Sequence, residues 1–137
     1  MVTFRKAEES DYAQLYEWRN DALSLASKGR SEPYSRDESD AMNRKLNGRL
    51  YIAEDGNAPI GTVIVTPGEK EVELAWGIIP PKRELGFGKK MVKEAMGAFT
   101  GHKFARIRTA NKASQKIAEY AGMKRVSDGP IQRWEQC

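Results

Sequence analysis

The sequence is short of the residues that carry most redox and metal chemistry. It contains one cysteine, Cys137, at the last position, and one histidine, His102. A single cysteine excludes an internal disulfide, and neither residue has an evident partner that would activate it as a nucleophile. We therefore expect no disulfide, no cysteine nucleophile and no metal site.

Long apolar runs are also missing. No stretch approaches the roughly 18 apolar residues of a membrane-spanning helix, and the segment Met1-Val2-Thr3-Phe4-Arg5-Lys6 lacks the apolar core of a signal peptide. No low-complexity tract interrupts the chain. We therefore expect a folded cytoplasmic protein with no membrane partner.

The charge is moderate and mildly basic. The chain has 137 residues and a formal net charge of +4, which favours anionic ligands such as nucleotides but is small for a nucleic-acid-binding surface. Basic and aromatic residues do not alternate as they do on single-strand-binding surfaces. We expect residues 1–137 to form a single domain that binds a small molecule and no nucleic acid.

The spacing of apolar residues predicts an α+β protein with helices packed on a mixed sheet. Ser35 and Glu38 match a capping box, and Gly122 is placed to end a helix. In chain order we predict a strand over residues 3–7, a helix from Ser10 to Ala22, a loop over 24–34, a helix over 36–47, strands over 50–53, 60–65 and 71–79, a helix over 88–100, a strand over 104–109, a helix over 112–121, and short strands from Lys124 and Ile131.

Two glycines, Gly86 and Gly88, stand where a predicted turn enters a helix. Without Cβ atoms in the turn, backbone N–H groups can converge on an anion near the positive end of the helix. Lys82, Arg83, Lys89 and Lys90 add cations around this point. The spacing matches neither a dinucleotide fingerprint nor a P-loop. A plain helix start with solvated lysines is the alternative interpretation.

The segment Gly77-Ile78-Ile79-Pro80-Pro81-Lys82-Arg83-Glu84-Leu85-Gly86-Phe87-Gly88 resembles the acetyl-CoA motif of the GNAT acetyltransferases. In that family a strand, an R/Q-x-x-G-x-G/A turn and a helix follow one another. Downstream, Asn111-Lys112-Ala113-Ser114 and Ala121-Gly122-Met123 extend the resemblance. Upstream, residues 17–21 and 50–54 look like the subgroup that acetylates ribosomal N-termini or nucleotide-linked amino sugars. The resemblance covers nearly the whole chain.

The resemblance implies a mixed, mostly antiparallel central sheet flanked by helices, with a splayed strand pair that holds the cofactor. It also implies acetyl-CoA as co-substrate and direct transfer of the acetyl group to a primary amine, without an acyl-enzyme. Glu84 and Leu85 depart from the usual motif, in which a glycine and a basic residue are common. The residues that the resemblance assigns to cofactor binding are Ile78, Ile79, Arg83, Glu84, Leu85, Gly86, Phe87, Gly88, Lys89 and Asn111.

Direct transfer needs a proton acceptor for the amine, polarisation of the thioester carbonyl and a proton donor for the departing thiolate. The resemblance assigns the base to Glu73, although Glu71 and Glu73 also fit the wet face of a half-exposed strand. The N–H of Ile78 or Ile79 could polarise the carbonyl.

The thiolate donor is harder to identify. Many relatives have a tyrosine where this sequence has Ala118. Tyr120 lies about 200° further around the helix, so we expect it to point elsewhere. We therefore favour Ser114 as the donor, with helix capping as its alternative role.

The family builds its amine pocket from the first helices and the loop after them. This implicates Trp18, Arg19, Asn20 and Tyr34 in substrate binding, although an aromatic such as Trp18 more often belongs to the core. The expected function is transfer of acetyl to an amine of a small or nucleotide-linked molecule. Protein N-terminal acetylation and a non-catalytic acyl-CoA-binding module are the alternatives.

Overall fold

A computed structural model describes residues 1–83 and 85–137, so Glu84 lies outside the described residues. The strands are β1 Val2–Lys6, β2 Leu50–Asp55, β3 Ala58–Pro67, β4 Glu71–Ile78, β5 His102–Arg108, β6 Met123–Ser127 and β7 Ile131–Gln136. The helices are α1 Tyr12–Arg19, α2 Ala22–Ser27, α3 Arg36–Lys45, α4 Phe87–Ala98 and α5 Lys112–Tyr120, with 3-10 turns at Glu9–Asp11 and Pro80–Lys82.

The strands form one seven-stranded sheet in the order β1-β2-β3-β4-β5-β7-β6. Every neighbouring pair is antiparallel except β4 and β5, which are parallel. This is the mixed, mostly antiparallel sheet that the sequence predicts. The one parallel pair arises because α4 carries the chain back across the sheet between the two strands, as parallel neighbours require.

Helices α4 and α5 cover one face of the sheet. Met91, Val92 and Ala95 of α4 are fully buried against Val72 and Leu74 of β4. Ala118 of α5 packs in a second cluster with residues of β5 and β7. Helix α1 packs against both α3 and α2, so the first three helices form a layer of their own.

The structure confirms most of the predicted elements and corrects two, the loop over 24–34 and the first helix. The capping box of Ser35 and Glu38 is formed, and Gly122 follows α5 with φ +93°. The predicted loop over 24–34, however, contains part of a helix, α2. Asp21 caps that helix by accepting hydrogen bonds from the N–H groups of Leu23 and Ser24. A short helix with a good cap was mistaken for loop because its serines and alanines carry little apolar periodicity.

The start of the first helix was also misplaced. Ser10 lies inside a 3-10 turn, and the reciprocal cap is made by Glu8 and Asp11. Among the residues that the structure describes, none of the helices is both long and apolar enough to span a membrane.

Candidate active site

Strands β4 and β5 separate partway along their length. Their parallel pairing joins only Glu71, Val72 and Glu73 to residues 102–104. Beyond that point β4 continues to Ile78 along β3, while β5 continues to Arg108 along β7. The sheet therefore splays open from a vertex at Glu73 and Phe104 to a mouth between Ile78 and Arg108, as the family resemblance predicts.

The backbone of β4 presents hydrogen-bonding groups to this gap. The N–H of Ile79 donates to the carbonyl of Ile60 at 3.1 Å, so it points toward β3. Because backbone groups alternate sides along an antiparallel strand, the N–H groups of Ile78 and Trp76 point away from β3 and into the gap. Ile78 therefore remains a candidate for polarising a bound carbonyl, whereas the N–H of Ile79 is already used within the sheet.

The two helices that follow the splayed strands both begin at the mouth. Helix α4 follows β4 and α5 follows β5, so both N-termini lie at the carboxyl ends of a parallel pair. This is the usual place for anionic ligands in sheets with parallel strands. From Leu74 to Ile78 the splayed part of β4 is about 16 Å long at 3.3 Å per residue, enough to lie beside an extended arm of a cofactor.

Gly86 is the N-cap of α4 and has φ +82°. A side chain in this left-handed conformation is strained, and a Cβ built at Gly86 meets no atom of the described residues within 4 Å. Because the N-cap residue is a glycine, it offers no side chain to the first N–H groups of α4. A helix start of this kind, beside space that no described residue fills, fits the pyrophosphate of acetyl-CoA.

Gly88 also packs closely against neighbouring elements. It is buried, and a Cβ there would lie 2.6 Å from Cδ1 of Ile117 and 3.2 Å from Cγ1 of Ile78. The missing side chain therefore lets α4 pack closely against α5 and the end of β4. Gly88 contributes to the site by setting the distance between the two helix starts.

The four cations near the turn are held by different contacts. Lys90 pairs with Asp55 at 2.8 Å, away from the turn. Lys82 lies 5.2 Å from the ring centre of Phe87, and Lys89 lies 5.4 Å from that of Tyr120. Leu85, between Arg83 and Gly86, is 65% exposed. Lys82 and Lys89 are thus the two lysines of this group that remain beside the α4 N-terminus.

Arg83 joins the glycine turn to the first part of the chain. Its guanidinium pairs with the carboxylate of Asp21 and donates to the hydroxyl of Ser24 at 2.9 Å, and its Nε donates to the carbonyl of Ile78 at 3.2 Å. Partial desolvation would raise the pKa of Asp21, but the hydrogen bond and charge of Arg83 lower it. Helix α2 is therefore tied to the cofactor turn.

Asn111 and Ser114 lie at the start of α5. The side chain of Asn111 caps the helix by accepting from the N–H of Ser114 at 3.2 Å. Asn111 is therefore the residue that caps α5. The side chain of the half-buried Ser114 does not cap the helix. Ser114 shares a helix face with Ile117 and Ala118, which face α4 and the core. Tyr120 is 53% exposed while Ala118 is buried, which confirms that they point in different directions.

Glu73 sits at the vertex of the splay, on the face opposite α4 and α5. Both of its carboxylate oxygens accept from Arg106, at 2.7 Å from Nε and 2.8 Å from Nη2. This bidentate pair is open to water, because the Arg106 side chain is 62% exposed. Glu71 on the same face pairs with Arg133 instead. Glu73 is thus the carboxylate at the point where the two strands part.

Two of the predicted substrate residues hold the first helices together. Arg19 donates to the hydroxyl of Ser39 at 2.6 Å and to the side chain of Asn43 at 2.9 Å. The side-chain amide of Asn20 donates to the carbonyl of Tyr34 at 3.0 Å, and its oxygen accepts from the N–H of Tyr34 at 2.7 Å. Burial lowers the pKa of Arg19. The polar groups of Arg19 and Asn20 are therefore used within the protein.

The two predicted aromatics are placed differently from each other. The ring of Tyr34 lies 3.9 Å from the guanidinium carbon of Arg30. Trp18 is half-buried on α1.

Trp76 was not singled out from the sequence. Its side chain packs against both core clusters and fills the space that opens between β4 and β5 on the α4 side. Its indole N–H is buried without a hydrogen-bond partner among the described residues. Its place in the alternating strand was visible in the sequence, but the gap that it fills depends on where β4 and β5 stop pairing.

Comparisons with known proteins agree with this geometry. The family model described as "Acetyltransferase (GNAT) domain" matches residues 1–124. A comparison with curated proteins found no match.

Several solved structures have a similar fold. One is a spermidine N-acetyltransferase from Vibrio cholerae in complex with CoA and spermine, with 18% identity and a TM-score of 0.80 over 98% of this chain and 94% of that chain. Another is an aminoglycoside acetyltransferase in complex with coenzyme A, with 19% identity and a TM-score of 0.84 over 99% and 94%. A GNAT-family acetyltransferase from Bacillus anthracis has 16% identity and a TM-score of 0.76 over 98% and 93%.

At these identities the solved structures establish the fold, and the family model establishes the family. The predicted subgroup, with its ribosomal or amino-sugar acceptors, stays a prediction. The chain belongs to the GNAT acetyltransferase family, and it is accordingly an N-acetyltransferase with acetyl-CoA as co-substrate.

Proposed function

We propose that residues 1–137 act as one domain that transfers acetyl from acetyl-CoA directly to a primary amine of a small molecule. Nucleotide-linked amino sugars are the first acceptors to test. The observation that supports this proposal most strongly is the splay between β4 and β5, with the uncapped start of α4 at its mouth and a carboxylate at its vertex.

Acetyl-CoA, when bound, supplies a thioester that a neutral amine can attack. The uncapped N–H groups after Gly86 would hold the pyrophosphate, with Lys82 and Lys89 beside them. The gap-facing N–H groups of Trp76 and Ile78 would bind the arm and polarise a carbonyl oxygen, because they have no partner strand. In this arrangement the backbone of β4 binds and orients the acyl donor.

The proton transfers are assigned to two side chains. Glu73 would accept a proton from the incoming ammonium group, directly or through water, with Arg106 holding the carboxylate in place. Ser114 would donate from its hydroxyl toward the sulfur, since that hydroxyl is not used as the helix cap. Bases and acids placed at opposite sides of the gap suit direct transfer, which needs no covalent enzyme intermediate.

The amine acceptors of similar structures support this proposal. One similar structure is in complex with spermine and another with kanamycin, and both of these molecules carry primary amines. A protein N-terminus remains the alternative acceptor, because an N-terminal α-amine has the same chemistry.

A non-catalytic acyl-CoA-binding module is the second candidate function. One observation favours it. The buried Ala118 occupies the position where many relatives carry a tyrosine that acts as general acid. The two candidates differ in whether free CoA is released.

The test is an acceptor screen that measures free CoA released from acetyl-CoA. We expect saturable release with at least one amine among UDP-linked amino sugars, simple amines and peptides with free N-termini. The Ser114→Ala variant should lower turnover without changing the affinity for acetyl-CoA. Binding of acetyl-CoA without release, whichever amine is added, would support the non-catalytic module and contradict the proposal.

A further inference from the structure

Helix α2 lies across the mouth of the splay, on the side away from α4 and α5. Its N-terminal end is tied to the glycine turn through Asp21 and Arg83. Just beyond its other end, Gly29 lies against the side chain of Arg108, the last residue of β5. Helix α2 itself has six residues and is about 9 Å long at 1.5 Å per residue. Helix α2 and Gly29 therefore bridge the ends of the two splayed strands.

The side chain of Arg108 lies close to Gly29. Gly29 has φ +67°, and a Cβ there would lie 2.8 Å from Nη2 of Arg108 and 2.9 Å from its Cζ. Arg108 shares its strand face with Arg106 and Phe104, opposite the core residues Ala105 and Ile107. The guanidinium therefore lies beside Gly29, on the strand face opposite the core residues of β5.

Two further cations follow α2. Arg30 lies 3.9 Å from the Tyr34 ring centre, and its Nε donates to the carbonyl of Glu32 at 2.8 Å, so its position is fixed. Lys28 lies 5.9 Å from the same ring. Although the Lys28 residue is exposed to solvent, partial burial of its ammonium together with the charges of Arg19 and Arg30 lowers its pKa. These observations place Lys28 beside other positive charges, close to the Tyr34 ring that Arg30 also contacts.

Few carboxylates offset the cation cluster, by which we mean Lys28, Arg30 and Arg108. Glu38 lies 3.5 Å from Arg30, but its side chain is 53% exposed. Within residues 1–83 and 85–137, no salt bridge pairs Lys28 or Arg108 with a carboxylate. Like charges held close together favour an anionic ligand, since the ligand removes their mutual repulsion.

We infer that the cation cluster binds an anionic group, a phosphate or a carboxylate, on the amine acceptor. This inference rests on the proposed function. The acceptor side is the better match because the cluster lies on the face of Glu73, whereas the start of α4, which suits the pyrophosphate of acetyl-CoA, lies on the other face. A polycationic amine would be repelled by the same three side chains, so the acceptor class differs from spermine and kanamycin.

The kinetic test compares amines that differ only in the anionic group. Glucosamine and glucosamine 6-phosphate form the phosphate pair, tyramine and tyrosine form the carboxylate pair, and spermidine is the polycation. We expect KM for the preferred anionic amine to be at least about 10-fold below KM for its counterpart without the anionic group, since hydrogen bonds between charged groups are stronger than neutral ones. We also expect that KM to rise with ionic strength.

Three variants locate the effect. Lys28→Gln and Arg108→Gln should each raise KM for the anionic amine by about 10-fold, with KM for acetyl-CoA unchanged. Arg44→Gln, which removes one exposed charge from α3, is the matched control and should change neither value. Equal KM values within both pairs, or a preference for spermidine, would overturn the inference. A higher KM for acetyl-CoA alone would assign the cluster to a phosphate of the donor.

A binding measurement separates this inference from the proposed function. With saturating CoA filling the donor site, inorganic pyrophosphate should raise the melting temperature of the wild-type protein by occupying the cation cluster. The shift should be smaller in Lys28→Gln and Arg108→Gln and unchanged in Arg44→Gln. No shift in the wild type would overturn the inference even if acetyl transfer is observed, whereas a shift without any transfer would count against the proposed function alone.

Discussion

Two glycines with nearly the same backbone conformation allow strain to be separated from ligand binding. Gly86 and Gly48 have φ +82° and +81°, and a Cβ at either meets no atom within 4 Å in the described part of the chain. Alanine at either position should therefore lower the free energy of unfolding by a similar amount, about 1 to 2 kcal/mol. Only Gly86→Ala should also weaken acetyl-CoA binding, because its Cβ enters the space where the pyrophosphate must approach the backbone.

Calorimetric titration of both variants with acetyl-CoA measures this difference, and urea unfolding measures the strain. Unchanged affinity in Gly86→Ala would reduce the turn to an ordinary helix start.

Glu73 is predicted to be the general base, and its neighbour Glu71 provides the control. Both lie on the same strand face, and each pairs with an arginine. Glu73→Gln should lower kcat about 100-fold or more, since general-base assistance contributes about 100- to 10,000-fold, while acetyl-CoA affinity stays the same. Glu71→Gln should leave kcat within a few fold, because Glu71 lies before the vertex.

The pH profile distinguishes a base from a structural pair. The deficit of Glu73→Gln should shrink as pH rises, because more of the amine is then already neutral. A full rate at neutral pH would instead make bulk water the proton acceptor. If Glu73→Gln and Glu71→Gln lower kcat equally at every pH, the two ion pairs with arginine only stabilise this face of the strand.

At the level of whole elements, Gly88 sets the distance between α4 and α5. Gly88→Ala would place a Cβ within 2.6 Å of Cδ1 of Ile117, and overpacking of this kind typically costs about 1 to 3 kcal/mol. Ile117→Val removes that terminal carbon and should recover part of the loss. Urea unfolding of the two single variants and the double variant gives the coupling energy between residues 88 and 117. If the two changes in unfolding free energy simply add, the clash with Ile117 is not the cause of the loss.

The ion pair between Asp21 and Arg83 couples α2 to the glycine turn and should be visible in the pH dependence of stability. The pKa of Asp21 is lowered below its ordinary value of 3.8 in the folded protein. Its contribution is therefore present above that value and is lost as pH falls through the lowered pKa. Asn at this position can still cap α2, so Asp21→Asn removes the charge alone.

We expect Asp21→Asn to lose about 1 kcal/mol of stability at pH 7, the upper range for a partly exposed pair. The difference from the wild type should narrow between pH 5 and pH 3. Chemical unfolding at each pH measures it, and a difference that stays constant with pH would mean that the lost stability comes from capping and not from charge.

For the molecule as a whole, the acyl-donor site is assembled from β4, α4, β5 and α5, which pack into one sheet and one core. Acetyl-CoA should therefore stabilise the global fold, by about 2.7 kcal/mol when its concentration is 100 times Kd. A thermal melt with increasing acetyl-CoA should show a single transition that moves upward with the logarithm of concentration. A melting temperature that does not respond to millimolar acetyl-CoA would contradict the assigned co-substrate.

Local sequence was enough to predict many of the elements. The capping box at Ser35 and Glu38 and the glycine after α5 are decided by residues within one helical turn, so their residue types are informative by themselves. The alternation of Val72, Leu74 and Trp76 likewise fixed the buried face of β4. Helix α2 was missed because its six residues show little apolar periodicity, and its contact with Arg83 joins residues distant in sequence.

The sequence by itself determined the α+β class, the position of the glycine turn at a helix start and, through the resemblance, the family and its co-substrate. Each of these depends on neighbours along the chain or on a short motif. Only the tertiary structure decided that Arg19 and Asn20 are used within the protein, that Gly88 is a packing glycine, and that Lys28, Arg30 and Arg108 share one side of the mouth. Those facts depend on side chains distant in sequence, whose distances are set by how the sheet splays and how the helices pack on it.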